Sequence, residues 1–243
     1  MRRPVLVTGA SRGIGRATAL RLAAAGYAIG INFNRSLESA RRVKEEIETM
    51  GGEAILLQAS VAVEEDVRAM VHSLTREFGE IYGLVNNAGI YPRTKFDRMS
   101  LDTWNETIAV NLTGAFLCTR TCLPHLREGG RIVNVASELA YRGSAQGAHY
   151  TASKAGLIGL TRALARELAP RQITVNAVAP GPTDTDIISS DTPEKRRQRE
   201  REIPLGRVGR PEEIAGAVAY LLSDDAAYIT GAVISVTGGL VMI

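Results

Sequence analysis

The sequence is poor in several features that mark whole protein classes. It has two cysteines in 243 residues, Cys118 and Cys122. They are spaced i, i+4 in a helical pattern, not as a CxxC pair, which excludes a disulfide framework and points to buried, reduced thiols. Aromatic residues make up 5% of the chain, with one tryptophan, a profile that suits helices packed closely on a sheet better than an all-β sandwich. No apolar run reaches the ~18–20 residues of a membrane span. The segment Met1-Arg2-Arg3-Pro4 is too short before the first apolar run to be a secretory signal, and no h-region or small-residue cleavage site follows its arginine pair. The net charge is only +3, and no aromatic platform or nucleic-acid motif accompanies the basic run from Lys195 to Arg201. A cytoplasmic protein without nucleic-acid, membrane or metal partners is expected.

What the sequence does contain is strand–helix alternation. Apolar runs at Pro4–Thr8, Ala28–Phe33, Ala54–Gln58, Ile81–Asn86, Arg131–Ala136, Ile173–Ala179 and Val233–Val236 read as strands. Helical patterns lie between them at Gly15–Ala25, Ser39–Met50, Glu64–Phe78, Leu101–Leu126, Tyr150–Leu168 and Pro211–Leu222. Strands that are apolar throughout, instead of alternating, are those of a parallel sheet covered on both faces. With no linker and no internal repeat, the expectation is an α/β protein: one doubly wound domain spanning 1–243, built on a mostly parallel seven-stranded sheet. The polar stretch from Thr183 to Glu202, which carries Lys195-Arg196-Arg197-Gln198-Arg199, interrupts the alternation. It reads as a flexible lid over a site, spanning 183–203, and equally as a solvated surface helix.

The first strand runs into Thr8-Gly9-Ala10-Ser11-Arg12-Gly13-Ile14-Gly15 and then directly into a helix. Glycines at such a turn allow a sharp bend and a close approach by pyrophosphate, which the helix N-terminus attracts with free N–H groups and its dipole. Sites for NAD place a carboxylate at the end of the second strand for the ribose hydroxyls. Here that stretch is Asn32-Phe33-Asn34-Arg35-Ser36, with no acid. Arg35 can pair with a 2′-phosphate, with Arg12 approaching from the glycine turn, so NADP(H) is preferred to NAD(H).

Three further features have chemical content. Asn86-Asn87-Ala88-Gly89 follows the fourth strand, Ser137 the fifth, and Tyr150 and Lys154 lie i, i+4 on one helix face. A lysine cation one turn away favours phenolate over phenol and lowers the tyrosine pKa towards working pH. A serine hydroxyl from a neighbouring strand end can hold a carbonyl oxygen beside that tyrosine. Asn111 sits mid-helix, where asparagine is a poor helix former, and so suggests a held water or a kink. His149 reads as a pocket-wall residue, with a structural role or a general base as alternatives. Trp104 reads as core or interface packing.

On these residues, together with Tyr150-Thr151-Ala152-Ser153-Lys154 and Pro180-Gly181, the chain resembles the short-chain dehydrogenase/reductases over essentially its full length. The resemblance implies Ser137, Tyr150 and Lys154 as the catalytic group, with Asn111 supporting a water linked to Lys154. Tyr150 would be the general acid in reduction and the base in oxidation. The cofactor would contact Gly9, Ser11, Arg12, Gly13, Ile14, Gly15, Asn34, Arg35, Ser60 and Val61. It would also contact Asn87, Ala88 and Gly89, Tyr150 and Lys154, and Pro180, Gly181, Thr183 and Thr185.

Within that family the chain is most similar to the 3-oxoacyl-acyl-carrier-protein reductases, through Ile203-Pro204-Leu205-Gly206-Arg207, Glu212-Glu213-Ile214-Ala215, Ser223 to Gly231 and Gly238-Gly239. The implied substrate is a 3-oxoacyl thioester, and the implied assembly is a homotetramer through the helices Leu101–Leu126 and Ala152–Leu168. Four departures bear on this. Ser60-Val61 stands where the family usually has Asp-Val near the adenine. Tyr91-Pro92-Arg93 replaces Thr-Arg-Asp, and Gln146-Gly147-Ala148-His149 replaces Gly-Gln-Ala-Asn. Of two basic positions where an acidic carrier protein would dock, Arg171 matches and Glu128 is reversed in charge. A sugar, alcohol or other small ketone is the alternative substrate. A non-catalytic NADP(H)-binding regulator would be expected to lack the tyrosine or the lysine, and this chain has both.

Overall fold

In a computed structural model that describes residues 2–185 and 192–242, the strands are β1 (Pro4–Val7), β2 (Ala28–Phe33), β3 (Ala54–Gln58), β4 (Ile81–Asn86), β5 (Leu126–Val135), β6 (Thr174–Pro180) and β7 (Val233–Val236). The helices are α1 (Gly13–Ala24), α2 (Leu37–Thr49), α3 (Glu64–Phe78), α4 (Leu101–Ile108), α5 (Gly114–Cys122), α6 (Leu139–Arg142), α7 (Ala148–Glu167), α8 (Pro193–Glu202) and α9 (Pro211–Leu222). All strands pair in parallel in one sheet of order β3-β2-β1-β4-β5-β6-β7.

The continuous apolar runs are explained by a sheet buried from both sides. Val5 and Val7 pack with Leu22 of α1, Val43 and Ile47 of α2 and Val218 of α9. Leu6, between them, packs with Val67, Val71 and Leu74 of α3 and Cys118 and Cys122 of α5. Successive side chains of a strand point to opposite faces, so each face needs its own apolar cover. Each such buried side chain contributes roughly 1.5–3 kcal/mol. Both cysteines are buried free thiols, and burial pushes the Cys118 thiol up to about 12.

Two expectations are corrected. The helix read over Leu101–Leu126 stops at Cys122 and winds through a π-helical turn on the way. A π-turn at Ala109–Thr113 separates α4 from α5, and α5 ends at Cys122 before a 3-10 turn at Leu123–His125. Pro124 lacks an N–H and its ring clashes with the preceding turn, which stops the helix. Leu126 therefore belongs to β5, which starts five residues earlier than the apolar run Arg131–Ala136 suggests. The pairing jumps from Ile81↔Leu126 to Gly83↔Arg131, so the polar, glycine-containing segment between them bulges outward. Trp104 is half-buried on α4.

β2 and β4 pair with β1 on opposite sides. Chain connections leave β1 in one direction and β4 in the other, which opens a crevice at the C-terminal ends of the strands.

Candidate active site

The crevice begins at the glycine turn between β1 and α1. Gly9 and Gly13 have φ of +63° and +55°, conformations open to glycine at little steric cost. A Cβ on Gly15 would collide with the Gly9 carbonyl and come within 2.5 Å of the Asn87 amide nitrogen. The turn is held from below by side chains whose role the sequence did not reveal. Asn32 accepts the Gly9 N–H at 3.1 Å and donates to the carbonyls of Leu57 and Ala59 at 3.2 and 3.1 Å. Asn87 donates to the carbonyls of Thr8 and Gly9 at 2.9 and 3.2 Å. The Thr8 hydroxyl accepts the N–H groups of Asn87 and Ala88 at 2.9 and 3.0 Å. Arg12, the N-cap of α1, makes no side-chain capping bond. The first-turn N–H groups and the positive dipole end thus form a cradle that suits pyrophosphate.

From this turn a cavity of about 810 Å³ extends along the strand ends. Gly9, Ser11, Arg12, Gly13, Ile14 and Gly15 border it, as do Asn34 and Arg35 after β2 and Ser60 and Val61 after β3. Asn87, Ala88 and Gly89 line its middle, and Ser137, Tyr150, Lys154, Pro180, Gly181, Thr183 and Thr185 its other end. Arg35 is exposed, with no acid beside it in sequence. β2 and β5 lie three strand spacings apart in the sheet, about 14 Å. That separation suits a dinucleotide lying across the strands. Where the adenine edge has Ser60 in place of an acid, the Ser60 N–H is bonded to the Asp66 carboxylate at 2.9 Å.

Tyr150 and Lys154 share one face of α7, and both are buried, at 8% and 3% exposure. The phenol faces the Ser137 side chain, whose influence favours the phenolate, and the Ser137 hydroxyl accepts the Leu139 N–H at 3.1 Å. The Lys154 amine donates to the Val135 carbonyl at 2.7 Å. Burial pushes the phenol up to about 12, against the influence of Ser137. Burial pushes the amine down to about 8. This corrects the expectation that the lysine charge dominates the tyrosine. Desolvation disfavours both charged forms, and the amine lies 5.8 Å from the ring centre.

Of the residues expected in the catalytic group and the cofactor contacts, Asn111 alone does not line the cavity. It sits in the π-turn, accepts the Ile90 N–H at 2.8 Å, and donates to the Ile90 carbonyl at 3.0 Å and the Ser153 hydroxyl at 3.1 Å. The kink read from its position is present, and its side chain ties α4–α5 to the segment after β4 and to α7. His149 is likewise not in the cavity wall. It is fully buried, and its Nε2 lies 2.9 Å from the Pro92 carbonyl. One residue turns a helix by about 100°, so the neighbour of Tyr150 points away from the cavity.

Glu138 and Arg142 are cavity residues that went unrecognised in the sequence, and Tyr91, noted there only as a departure from the family pattern, lines the cavity too. Glu138 is 4% exposed and paired with Arg142 at 2.5 Å. Burial raises its carboxyl above the usual range, while Arg142 and Arg199 oppose the rise. A charge directly after Ser137 was a visible signal. Tyr91 was visible only as a departure after Ile90, and its contact with Tyr150 was not, because its partners are distant in sequence.

Of the lid read over 183–203, residues 186–191 lie outside the described residues. The rest includes α8, a surface helix that brings Lys195 and Arg199 to the cavity. Arg196 pairs with Asp184 at 3.3 Å. Glu128 and Arg171 do not line the cavity. The Arg171 guanidinium donates to the carbonyls of Leu123 and Leu126 at 3.0 and 2.5 Å.

The family described as enoyl-(acyl carrier protein) reductase matches residues 9–241. The chain is 44% identical to the 3-oxoacyl-(acyl-carrier-protein) reductase FabG of Staphylococcus aureus, over 100% of the chain and 99% of that protein. It is 47% identical to the 3-oxoacyl-(acyl-carrier-protein) reductase of Synechocystis sp., over 98% of the chain and 96% of that protein. The solved structure of a Burkholderia cenocepacia short chain dehydrogenase in complex with NADP superposes with a TM-score of 0.94 at 40% identity, over 98% of this chain and 97% of that one. No helix among the described residues is long and apolar enough to cross a membrane. Fold, cradle and full-length likeness agree: the chain belongs to the short-chain dehydrogenase/reductase family of NAD(P)-dependent oxidoreductases.

Proposed function

We propose that the protein is an NADPH-dependent reductase of 3-oxoacyl thioesters, forming 3-hydroxyacyl thioesters. The observation that carries the reading is the convergence of Ser137, Tyr150 and Lys154 at the end of the cavity removed from Arg35. The names of relatives at 44% and 47% identity support the substrate class, and NADP in a structural neighbour supports the cofactor.

The glycine turn and the N-terminus of α1 would hold the pyrophosphate, and Arg35 with Arg12 the 2′-phosphate. Lys154 would hold the nicotinamide ribose, and Pro180 to Thr185 would border the ring. When bound, the nicotinamide supplies the hydride in reduction and takes one up in oxidation. The Ser137 hydroxyl holds the ketone oxygen beside the Tyr150 phenol. Tyr150 donates its proton to that oxygen as the carbon is reduced, and takes it back in the reverse direction. A phenol held near 12 is fully protonated at neutral pH and ready as an acid. Asn111 keeps the frame around Lys154, and a homotetramer is the expected assembly.

Glu128 and Arg171 stand at the N-terminal end of β5, and Ser137 beyond its C-terminal end. That arrangement favours a thioester entering on its own over one delivered by carrier protein at these two positions. A sugar, alcohol or other small ketone is the second reading, favoured by Tyr91 and Glu138 at the substrate end of the cavity.

The test is NADPH oxidation at 340 nm with acetoacetyl thioesters of coenzyme A and of carrier protein, with NADH in parallel. Turnover with NADPH on either thioester upholds the reading. NADPH binding without turnover on either moves the substrate to a different ketone.

A further inference from the structure

Tyr91 lies 59 positions before Tyr150 in sequence and directly against it in space. The two rings are stacked, with centroids 4.2 Å apart and planes 20° apart. Tyr91 is itself fixed on its other contacts. Its hydroxyl is 2.6 Å from the Ser144 hydroxyl. The Arg93 guanidinium lies 5.6 Å from its ring centre. The segment that carries it is fastened to the approach to α7 by two more bonds: the Thr94 N–H to the Gln146 carbonyl at 3.0 Å, and His149 Nε2 to the Pro92 carbonyl at 2.9 Å. Gly147 leaves the room the ring needs, since a Cβ there would come within 2.6 Å of the Tyr91 hydroxyl and 2.8 Å of its ring.

We propose that Tyr91 is a positioning residue of the reaction: its clamped ring holds the Tyr150 ring in the plane that keeps the phenol turned towards the Ser137 side chain. An offset aromatic stack is worth about 0.5–1.5 kcal/mol beyond the area it buries. That is small against folding but large against the wobble of a phenol that must point at one oxygen. A misplacement of about 1 Å in a reacting group costs on the order of 100-fold in rate. The inference rests on Tyr150 being the proton donor proposed above. It adds a second tyrosine whose work is geometric, and it assigns Gly147 as the residue that makes space for it. Tyr91 also seals one side of the phenol from water, in keeping with the burial that raises its pKa.

The experiment compares Tyr91→Phe, Tyr91→Ala, Gly147→Ala and the double variant Tyr91→Ala/Gly147→Ala, with Tyr150→Phe as reference. One readout is steady-state kinetics with NADPH and acetoacetyl-coenzyme A. The other is the ultraviolet difference titration of tyrosinate without substrate, in which the transition missing from Tyr150→Phe belongs to Tyr150. Tyr91→Phe keeps the stack and should stay within about threefold of the parent in kcat. Tyr91→Ala should lose on the order of 10–100-fold in kcat, with KM and NADPH affinity within about threefold. In the titration its Tyr150 transition should move down from that of the parent, and further than in Tyr91→Phe, which keeps the stack and loses only the hydroxyl that helps raise it. Gly147→Ala should resemble Tyr91→Ala, and the double variant should be no worse than Tyr91→Ala alone.

An unchanged kcat and titration in Tyr91→Ala overturns the proposal. A rise in KM alone also overturns it, by making Tyr91 a substrate wall. If the parent turns over no thioester, the proposed substrate fails, and the Tyr150 transition in the Tyr91 variants still decides the role of Tyr91.

Discussion

The Lys154 amine lies 5.8 Å from the centre of the Tyr150 ring and gives its short hydrogen bond elsewhere, to the Val135 carbonyl at 2.7 Å. Both groups are buried in the same wall, and burial moves their pKa values apart from the ionised forms: about 12 for the phenol and about 8 for the amine. The pair therefore presents a neutral, protonated phenol at pH 7, and the state of the phenol that we propose as proton donor follows desolvation more than the lysine charge.

Replacing Tyr150 by Phe removes the hydroxyl proposed as proton donor and leaves the ring. Turnover should fall by at least about 1000-fold, while NADPH affinity, read by quenching or energy transfer from protein to the nicotinamide, stays within about threefold. Loss of binding together with turnover would assign Tyr150 to the cofactor site instead of to proton transfer.

The Lys154 pKa predicts a pH-dependent stability difference. The folded amine titrates near 8 and the unfolded one near 10.4. Between these values the unfolded chain binds the extra proton, so stability of the parent rises with pH through this window and is flat below it. Against Lys154→Met, which lacks the titration, the parent should gain on the order of 1–3 kcal/mol between pH 8 and 10.4. Loss of the Val135 hydrogen bond adds only a constant offset. Urea midpoints of both proteins at pH 7, 8, 9 and 10 check this, and parallel curves would refute it.

Arg35 is the residue whose removal should change cofactor choice. A charge-assisted bond from arginine to phosphate contributes about 1.5–3 kcal/mol. Arg35→Ala should thus lower kcat/KM for NADPH by roughly 10–100-fold and leave that for NADH within about threefold. Equal losses with both cofactors would show that Arg35 does not meet the 2′-phosphate.

Asn111 is 1% exposed and holds both backbone groups of Ile90. Asn111→Ala leaves the part-buried N–H and C=O of Ile90 without that partner, at a cost of about 2 kcal/mol. Tm should drop by roughly 4–8 °C. A variant as stable as the parent would mean that water replaces the carboxamide.

Much of this was legible in the amino-acid order because it depends on local chemistry. The buried strands are continuous apolar runs, so β2, β3, β4 and β7 appear where the residues indicate. The glycines at 9, 13 and 15 mark the turn, since little else tolerates those angles and that close approach. Tyr150 and Lys154 share a helix face by spacing alone. The π-turn and the end of the helix after Leu101 were only half legible, with Asn111 and Pro124 as their signals and the bulged start of β5 decided by pairing with β4.

Other relationships are set between segments far apart in the chain. Asn32 and Asn87 brace the glycine turn from β2 and from the loop after β4. Tyr91 meets Tyr150 across a gap that no periodicity spans. The lysine charge fails to govern the tyrosine because both are buried, and burial is a property of the whole fold. Sequence by itself determined the strand pattern, the glycine turn and the shared helix face of Tyr150 and Lys154, because these rest on residue type and short-range spacing. Tertiary structure alone decided their protonation, their bracing and the shape of the substrate end, because these rest on what packs against them.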